Sequence, residues 1–389
     1  MIYDGLMWLL LVPFLLSAIT VPLLPKLNSD FDHKESLLFA GFGFLIAMIV
    51  IVAAFFISRG VQTMDTEVWN GRITGKTRDH GTYEESYSCN CRQTCSGSGK
   101  NKSCSQTCDT CYRTHYTVEW DAHSTIGDFR IDKEDSTSSS VYMTPDPAFY
   151  TGVQPGEPCS KTNTYTNYIK AVPHSLYRPA SGDLKKTFAG MLPEYPLSLY
   201  HMWRLDRVIP VKLAVPDIAE WNTKLSDMLK DLGNRKQVNA VIVLANTDDE
   251  TYAYALQDHW INGKKNDVIL IVGAPEYPKK ARWVKVLALT DRTEFAIRLE
   301  SDISDLESLT PDAVLSSLST NIEKYYVRKP MKNFDYLDFE IDPPMWVNTS
   351  LVLFCLVGYV ILWIVAVKRG GFRRPMPRYG VKGRSRFNF

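Results

Sequence analysis

Three stretches without a charged residue constrain this chain more than any other feature: residues 5–25, 37–57 and 345–367. They run for 21, 21 and 23 residues. A helix crossing a hydrocarbon core of about 30 Å needs about 20 apolar residues, so each is long enough to span a bilayer. Pro13 and Pro22 in the first stretch would break a soluble helix but are tolerated in lipid. The rival reading of that stretch, a secretory signal, lacks a basic leading region, because Asp4 is the only charge before it, and no small-x-small cleavage site follows. None of the three contains Asp, Glu, Lys, Arg or His, the groups on which ion pathways and proton relays depend. They read as anchors rather than as a transport pathway.

Charge sets the orientation. The formal net charge of +1 hides an asymmetry. After the third stretch come Lys368, Arg369, Arg373, Arg374, Arg378, Lys382, Arg384 and Arg386 with no acidic residue, which places the tail in the cytoplasm. Three spans then put the N-terminus outside, in the inner membrane if the host is bacterial. Residues 59–344 become one large extracytoplasmic segment with 34 Lys and Arg against 39 Asp and Glu. Beside acidic lipid the tail reads as a topology signal and an anionic-lipid contact. Its Arg, Gly and aromatic residues also suit nucleic acid, a reading that ranks below the lipid one.

The segment opens β-rich. Residues 68–74 have strand character, and Tyr116, Val118 and Trp120 alternate with polar residues, as do Phe129 and Ile131. Between Asp79 and Thr114 lies a Ser/Gly/Cys insertion with too little apolar content to bury a core. It holds Cys89, Cys91, Cys95, Cys104, Cys108 and Cys111. In an oxidising compartment six cysteines staple a loop that cannot fold alone, with 15 connectivities open. Zinc is the competing reading: Cys108-x-x-Cys111 has ligand spacing, Cys89, Cys91 or Cys95 would complete four thiolates, and His80 and His115 are near. The inferred topology favours disulfides. Cys159 is a seventh, odd cysteine in this segment, and Cys355 reads as a small apolar residue of the third span.

Residues 238–273 carry a different pattern. Residues 238–244 and 267–272 are continuous apolar runs of strand length, suited to strands buried on both faces. Between them Tyr252, Leu256 and Trp260 form a helical stripe. Strand, helix and strand make a βαβ unit whose strands should be parallel. Residues 215–232 read as a preceding helix with Trp221, Leu225, Met228, Leu229 and Leu232 inward. Residues 283–289 and 295–299 read as two further strands, and Thr310-Pro311-Asp312 as the start of a last helix.

The ordered series Tyr254-Ala255-Leu256, Trp260-Ile261-x-Gly263-Lys264 and the run 266–272 resembles the TPM domain, an extracytoplasmic α/β module of membrane-attached proteins in bacteria and plastids. The resemblance covers residues 204–330. It implies a three-layer fold, and activities that range from phosphatase to assembly or repair factor. The whole chain resembles membrane proteins of bacteria and their phages, which adds no mechanism.

The expected fold is therefore a membrane-anchored α+β chain with three transmembrane helices, a cysteine-rich β domain and an open α/β, TPM-like three-layer domain. Its expected parts are a hairpin of spans at 1–59, the β domain at 60–190, the α/β domain at 191–343, a third span at 344–367 and a basic tail at 368–389. No Gly-x-Ser-x-Gly, His-Glu-x-x-His or dinucleotide fingerprint occurs, and Gly71 to Thr77 falls one residue short of a P-loop. The best chemical candidate is the acidic loop Asp248-Asp249-Glu250 after the first βαβ strand, where open sheets bind ligands. With Asp217 and Asp291 it would hold calcium or magnesium, as a phosphatase requires. The chain carries no other cofactor signal and no catalytic constellation. The favoured function is an interaction or assembly module that meets another protein outside the cytoplasm, with metal-dependent phosphatase as the alternative.

Overall fold

A computed structural model describes residues 4–28, 31–96, 103–172, 183–200, 203–261 and 263–369. The chain divides into two bodies: one is built from the segment up to Met64, a return at residues 166–172 and the segment from Phe334 onward; the other comprises residues 65–165 and the stretch that ends at Asn333.

In the first body, α1 (Asp4–Leu27), α2 (His33–Thr63) and a later helix, Met345–Arg369, contain the three apolar stretches. Each is long and apolar enough to cross a membrane. Asp32 caps α2 by accepting from the His33 amide at 2.7 Å. Leu9, Ile51, Phe55, Leu351 and Tyr359 are buried where the helices meet. Polar contacts join the first and last helices: Tyr359 Oη lies 2.5 Å from Ser17 Oγ and donates to the Pro13 carbonyl at 3.2 Å, and Trp363 Nε1 donates to Thr20 Oγ1 at 3.0 Å. Interhelical hydrogen bonds and close packing hold helices together where lipid offers no hydrophobic drive. At the end of α2, Arg59 donates to the Asp338 carboxylate at 2.6 Å.

The second body begins with β1 (Met64–Ser96), β2 (Ser103–Ser124) and β3 (Phe129–Ser136). After the short helix α3 (Ala148–Gly152) comes β4 (Pro158–Thr166), and these four strands form a sheet in the order β3-β2-β1-β4. β1–β2 and β2–β3 are antiparallel. Trp120 is fully buried on β2, and its Nε1 donates to Asp146 at 2.8 Å. β4 falls in the expected β domain but was not legible as a strand; its Thr and Asn content hides the buried Cys159 and Tyr165.

Two single-turn helices, α4 (Tyr168–Ala171) in the first body and α5 (Leu184–Thr187) in the second, precede the α/β part. It consists of β5 (Val208–Val211), α6 (Ile218–Lys236), β6 (Asn239–Ala245), α7 (Thr251–His259), β7 (Asp267–Gly273), β8 (Trp283–Ala288), α8 (Glu294–Ser304) and α9 (Pro311–Tyr325), with the membrane helix Met345–Arg369 as α10. Its sheet runs β5-β6-β7-β8. The first three strands are parallel, as the βαβ pattern requires, and β8 is antiparallel. Every residue of β6 and β7 is buried. Side chains alternate across a strand. Thus Ala240, Ile242, Leu244, Val268 and Leu270 join the core of α6, α8 and α9, while Val241, Val243, Ile269 and Ile271 join Tyr252 and Leu256 of α7 and Trp260 just after it. Thr310 caps α9, and Pro311 opens it.

One expectation is corrected here. Residues 295–299 are helical, in α8, and not a strand. Phe295, Leu299 and Ile303 repeat at four-residue spacing and are fully buried, so the apolar signal belongs to one helical face.

The two sheets share a polar seam within the second body. Asn70 of β1 donates to the Val238 carbonyl at 3.1 Å, and Asn266 Nδ2 donates to the Val68 carbonyl at 2.7 Å. Glu67, wholly buried, meets Lys265 at 3.3 Å and Arg328 at 3.2 Å.

Candidate functional site

The element most open to a partner is a two-stranded arm. β3 pairs with β2 only between Tyr116 and Ala122, so residues 84–96 and 104–114 continue beyond the sheet as a bare ribbon. None of these arm residues is buried. At about 3.3 Å per residue the arm reaches roughly 40 Å. An isolated two-stranded hairpin is marginal in water. Here three disulfides supply the missing core: Cys89–Cys111, Cys91–Cys108 and Cys95–Cys104. Cys95 and Cys104 face each other in register, and a bulge between Cys89 and Arg92 brings Cys91 to Cys108. Of the two expected readings of the six cysteines, this pairing supports the disulfide one. His80 stacks on Tyr142, and His115 takes carboxylate partners.

At the root of the arm sits a titratable clamp. His115 Nδ1 lies 2.6 Å from Asp135 on β3, and Nε2 lies 3.0 Å from Glu85 on β1. Tyr83 stacks on the imidazole and donates its hydroxyl to Asp135 at 2.6 Å. The Asp135 hydrogen bond raises the His115 pKa, and Glu85 adds to it. Tyr83 and His115 hold the Asp135 carboxyl below its usual range. Beyond the clamp, Tyr112 is 67% exposed, and Arg113 lies over the Tyr87 ring at 4.9 Å.

The expected acidic site does not assemble. Asp248 is exposed and lies 3.3 Å from Arg282. Asp249 accepts from the Thr251 amide and hydroxyl at the start of α7, bonds that lower its pKa. Asp217 precedes α6 and accepts from Tyr277 Oη at 2.7 Å, and exposed Asp291 is held through its backbone to Val327. Among the described residues no three His, Cys, Asp or Glu side chains gather to hold a metal ion. Cys159 is buried, and burial pushes its thiol up to about 11, away from nucleophilic use. Of the basic tail, Lys368 and Arg369 end α10, whereas Arg373, Arg374, Arg378, Lys382, Arg384 and Arg386 lie outside the described residues.

Sequence reasoning missed Arg207, Asp65 and Glu67, all buried. Alternation along the start of β1 offered little signal: Asp65 and Glu67 are buried two residues apart, but Val68 and Asn70 of the opposite parity are buried too, Trp69 is exposed, and acidic side chains read as solvent-facing. Comparison with protein-family models, curated proteins and solved structures returns no match.

Proposed function

We propose that the chain is an integral membrane protein whose second body is an interaction or assembly module outside the cytoplasm, with the disulfide-stapled arm as its contact element. The observation that carries this reading is the arm itself: a long ribbon, crosslinked three times, with no buried residue among those described. Such a ribbon adds nothing to the core of its own chain, and its rigidity lowers the ordering cost of binding a partner. Disulfides of this density belong to oxidising compartments, which agrees with a basic tail in the cytoplasm and the N-terminus outside. The partner is a protein, met by the Tyr87, Arg113 and Tyr112 surface; Tyr and Arg are the residue types that most often dominate interfaces. The tail contacts anionic lipid. The β5–β8 part is assigned to a TPM-like three-layer arrangement, supported by helices on both faces of a mostly parallel sheet and by Gly263, whose positive φ opens the Gly-Lys turn.

The test replaces residues 84–114 by a two-residue turn in the full chain. The shortened protein should insert in the membrane and melt at an unchanged temperature, yet lose co-purification with its partner from native membranes. Retention of the complex at full strength contradicts the proposal.

A further inference from the structure

A cavity of about 510 Å³ lies in the second body, beside α6 and the start of β4. Ala219, Asn222 and Ser226 wall one side, Cys159 and Ser160 the other, and Arg204 stands at its mouth. Its volume falls within the range of small-molecule sites, about 300–1,000 Å³.

The floor is unusual. Arg207 is only 2% exposed, yet every acceptor it touches is neutral. Nε donates to Asn239 Oδ1 at 2.9 Å, and Nη2 donates to Ser160 Oγ at 2.5 Å and to Asn70 Oδ1. Nη1 donates to the Leu205 carbonyl at 3.1 Å and reaches Ser226 Oγ only at 3.5 Å. Among the described residues no carboxylate oxygen contacts the guanidinium. Asp267 senses it through Asn239, whose Nδ2 donates to Asp267 at 3.0 Å. Asp267 is already bound by Tyr195 Oη at 2.8 Å and the Lys264 amide at 2.6 Å. Asp206 accepts from Tyr200 at 2.7 Å, and Asp227 pairs with Lys230 at 3.0 Å, so the carboxylates near the rim have other partners. Burial lowers the Arg207 pKa only to about 10, leaving it charged at neutral pH. A buried cation without a counter-charge in contact is costly.

The loosest bond of the guanidinium is the one to Ser226. Ser226 Oγ accepts at long range, and no protein acceptor among the described residues takes its own hydrogen. An oxygen set beside this pair, within hydrogen-bond reach of Nη1 and of the Ser226 hydroxyl, would receive both donors; the exposed Arg204 guanidinium, 3.8 Å from Glu157, lies at the rim.

We propose that this cavity binds a small organic anion, holding its phosphate or carboxylate group between Arg207, Ser226 and Arg204. The site is independent of the arm and of any partner bound there.

The full chain in detergent would be titrated with inorganic phosphate and, separately, acetate, at constant ionic strength against chloride. Fluorescence of Trp203, which lines the cavity, reports binding, and the melting temperature reports linkage. Saturable binding of either probe is expected, weakened at least tenfold in Ser226→Ala and in Arg204→Ala but not in Arg282→Ala. Neither cavity variant removes core packing, so both should keep the anion-free melting temperature. The proposal is overturned if neither probe binds saturably at millimolar concentration, or if both cavity variants bind as the parent does. Saturation by phosphate alone or acetate alone supports it and decides which group the ligand carries.

Discussion

Lys264 Nζ lies 2.6 Å from Asp65 Oδ1, and this ion pair ties the turn after α7 to the first strand of the second body. Asp65 is nearly inaccessible and also accepts from Tyr165 Oη at 3.2 Å. Beside it Lys265 and Arg328 share Glu67. The start of β1, directly after α2, is thus fastened to the α/β part by charge rather than by an apolar core.

Breaking one half of that pair leaves the other charge buried. Lys264→Met should destabilise the second body by about 3–5 kcal/mol, the usual cost of breaking a buried ion pair from one side. Asp65→Asn on the Lys264→Met background should recover part of the loss. Urea denaturation of the four species of the double-mutant cycle checks this; strictly additive losses would mean that the two residues do not interact.

Gly233 gives a prediction of sign. On helix propensity alone, alanine at this position of α6 should stabilise by up to about 1 kcal/mol. A Cβ there would stand 2.5 Å from the Asn70 Cβ and 3.2 Å from the Val238 carbonyl. Gly233→Ala should therefore destabilise, by about 1–3 kcal/mol as overpacking does. A raised melting temperature would show that Asn70 does not approach the helix this closely.

How much of this was legible in the sequence follows from which residues speak for themselves. β6 and β7 were, because a strand buried on both faces leaves an unbroken apolar run. α8 was not: Phe295, Ala296 and Ile297 resemble a short strand until Leu299 and Ile303 are counted at helical spacing. The six clustered cysteines announced crosslinks, but their pairing depended on strand register and on the bulge after Cys89, which composition does not encode. The polar seam was least legible. Asp65, Glu67 and Arg207 become inward-facing only when strands distant in sequence supply their partners.

The clamp at the arm's root makes order there depend on pH. The folded-state pKa of His115 is raised, so its contribution is complete below the unfolded value of about 6.5 and is lost as pH climbs through the raised value. Asp135 is depressed, so its contribution is present above about 3.9 and fades as pH falls through the lowered value. Protection of the amides of residues 83–85 and 115, with exchange taken relative to the intrinsic rate at each pH, should be greatest between these limits and fall on the alkaline side. His115→Gln should abolish the alkaline step; a step that survives in this variant would assign it to another group.

Reduction should loosen the arm without melting the body. Each crosslink closing a loop of about 15 residues is worth about 3 kcal/mol by chain entropy. After reduction, trypsin should cut at Arg92 and Arg113 while Trp120 and Trp221 keep their buried fluorescence. Global unfolding on reduction would show that the arm holds the core together.

The most direct test of a membrane-anchored module with its stapled arm outside the cytoplasm is thiol labelling in sealed right-side-out vesicles carrying the full chain. A membrane-impermeant maleimide should label no arm cysteine at first, and all six of Cys89, Cys91, Cys95, Cys104, Cys108 and Cys111 after an impermeant reductant. Labelling without reduction, or only in inverted vesicles, would contradict the account.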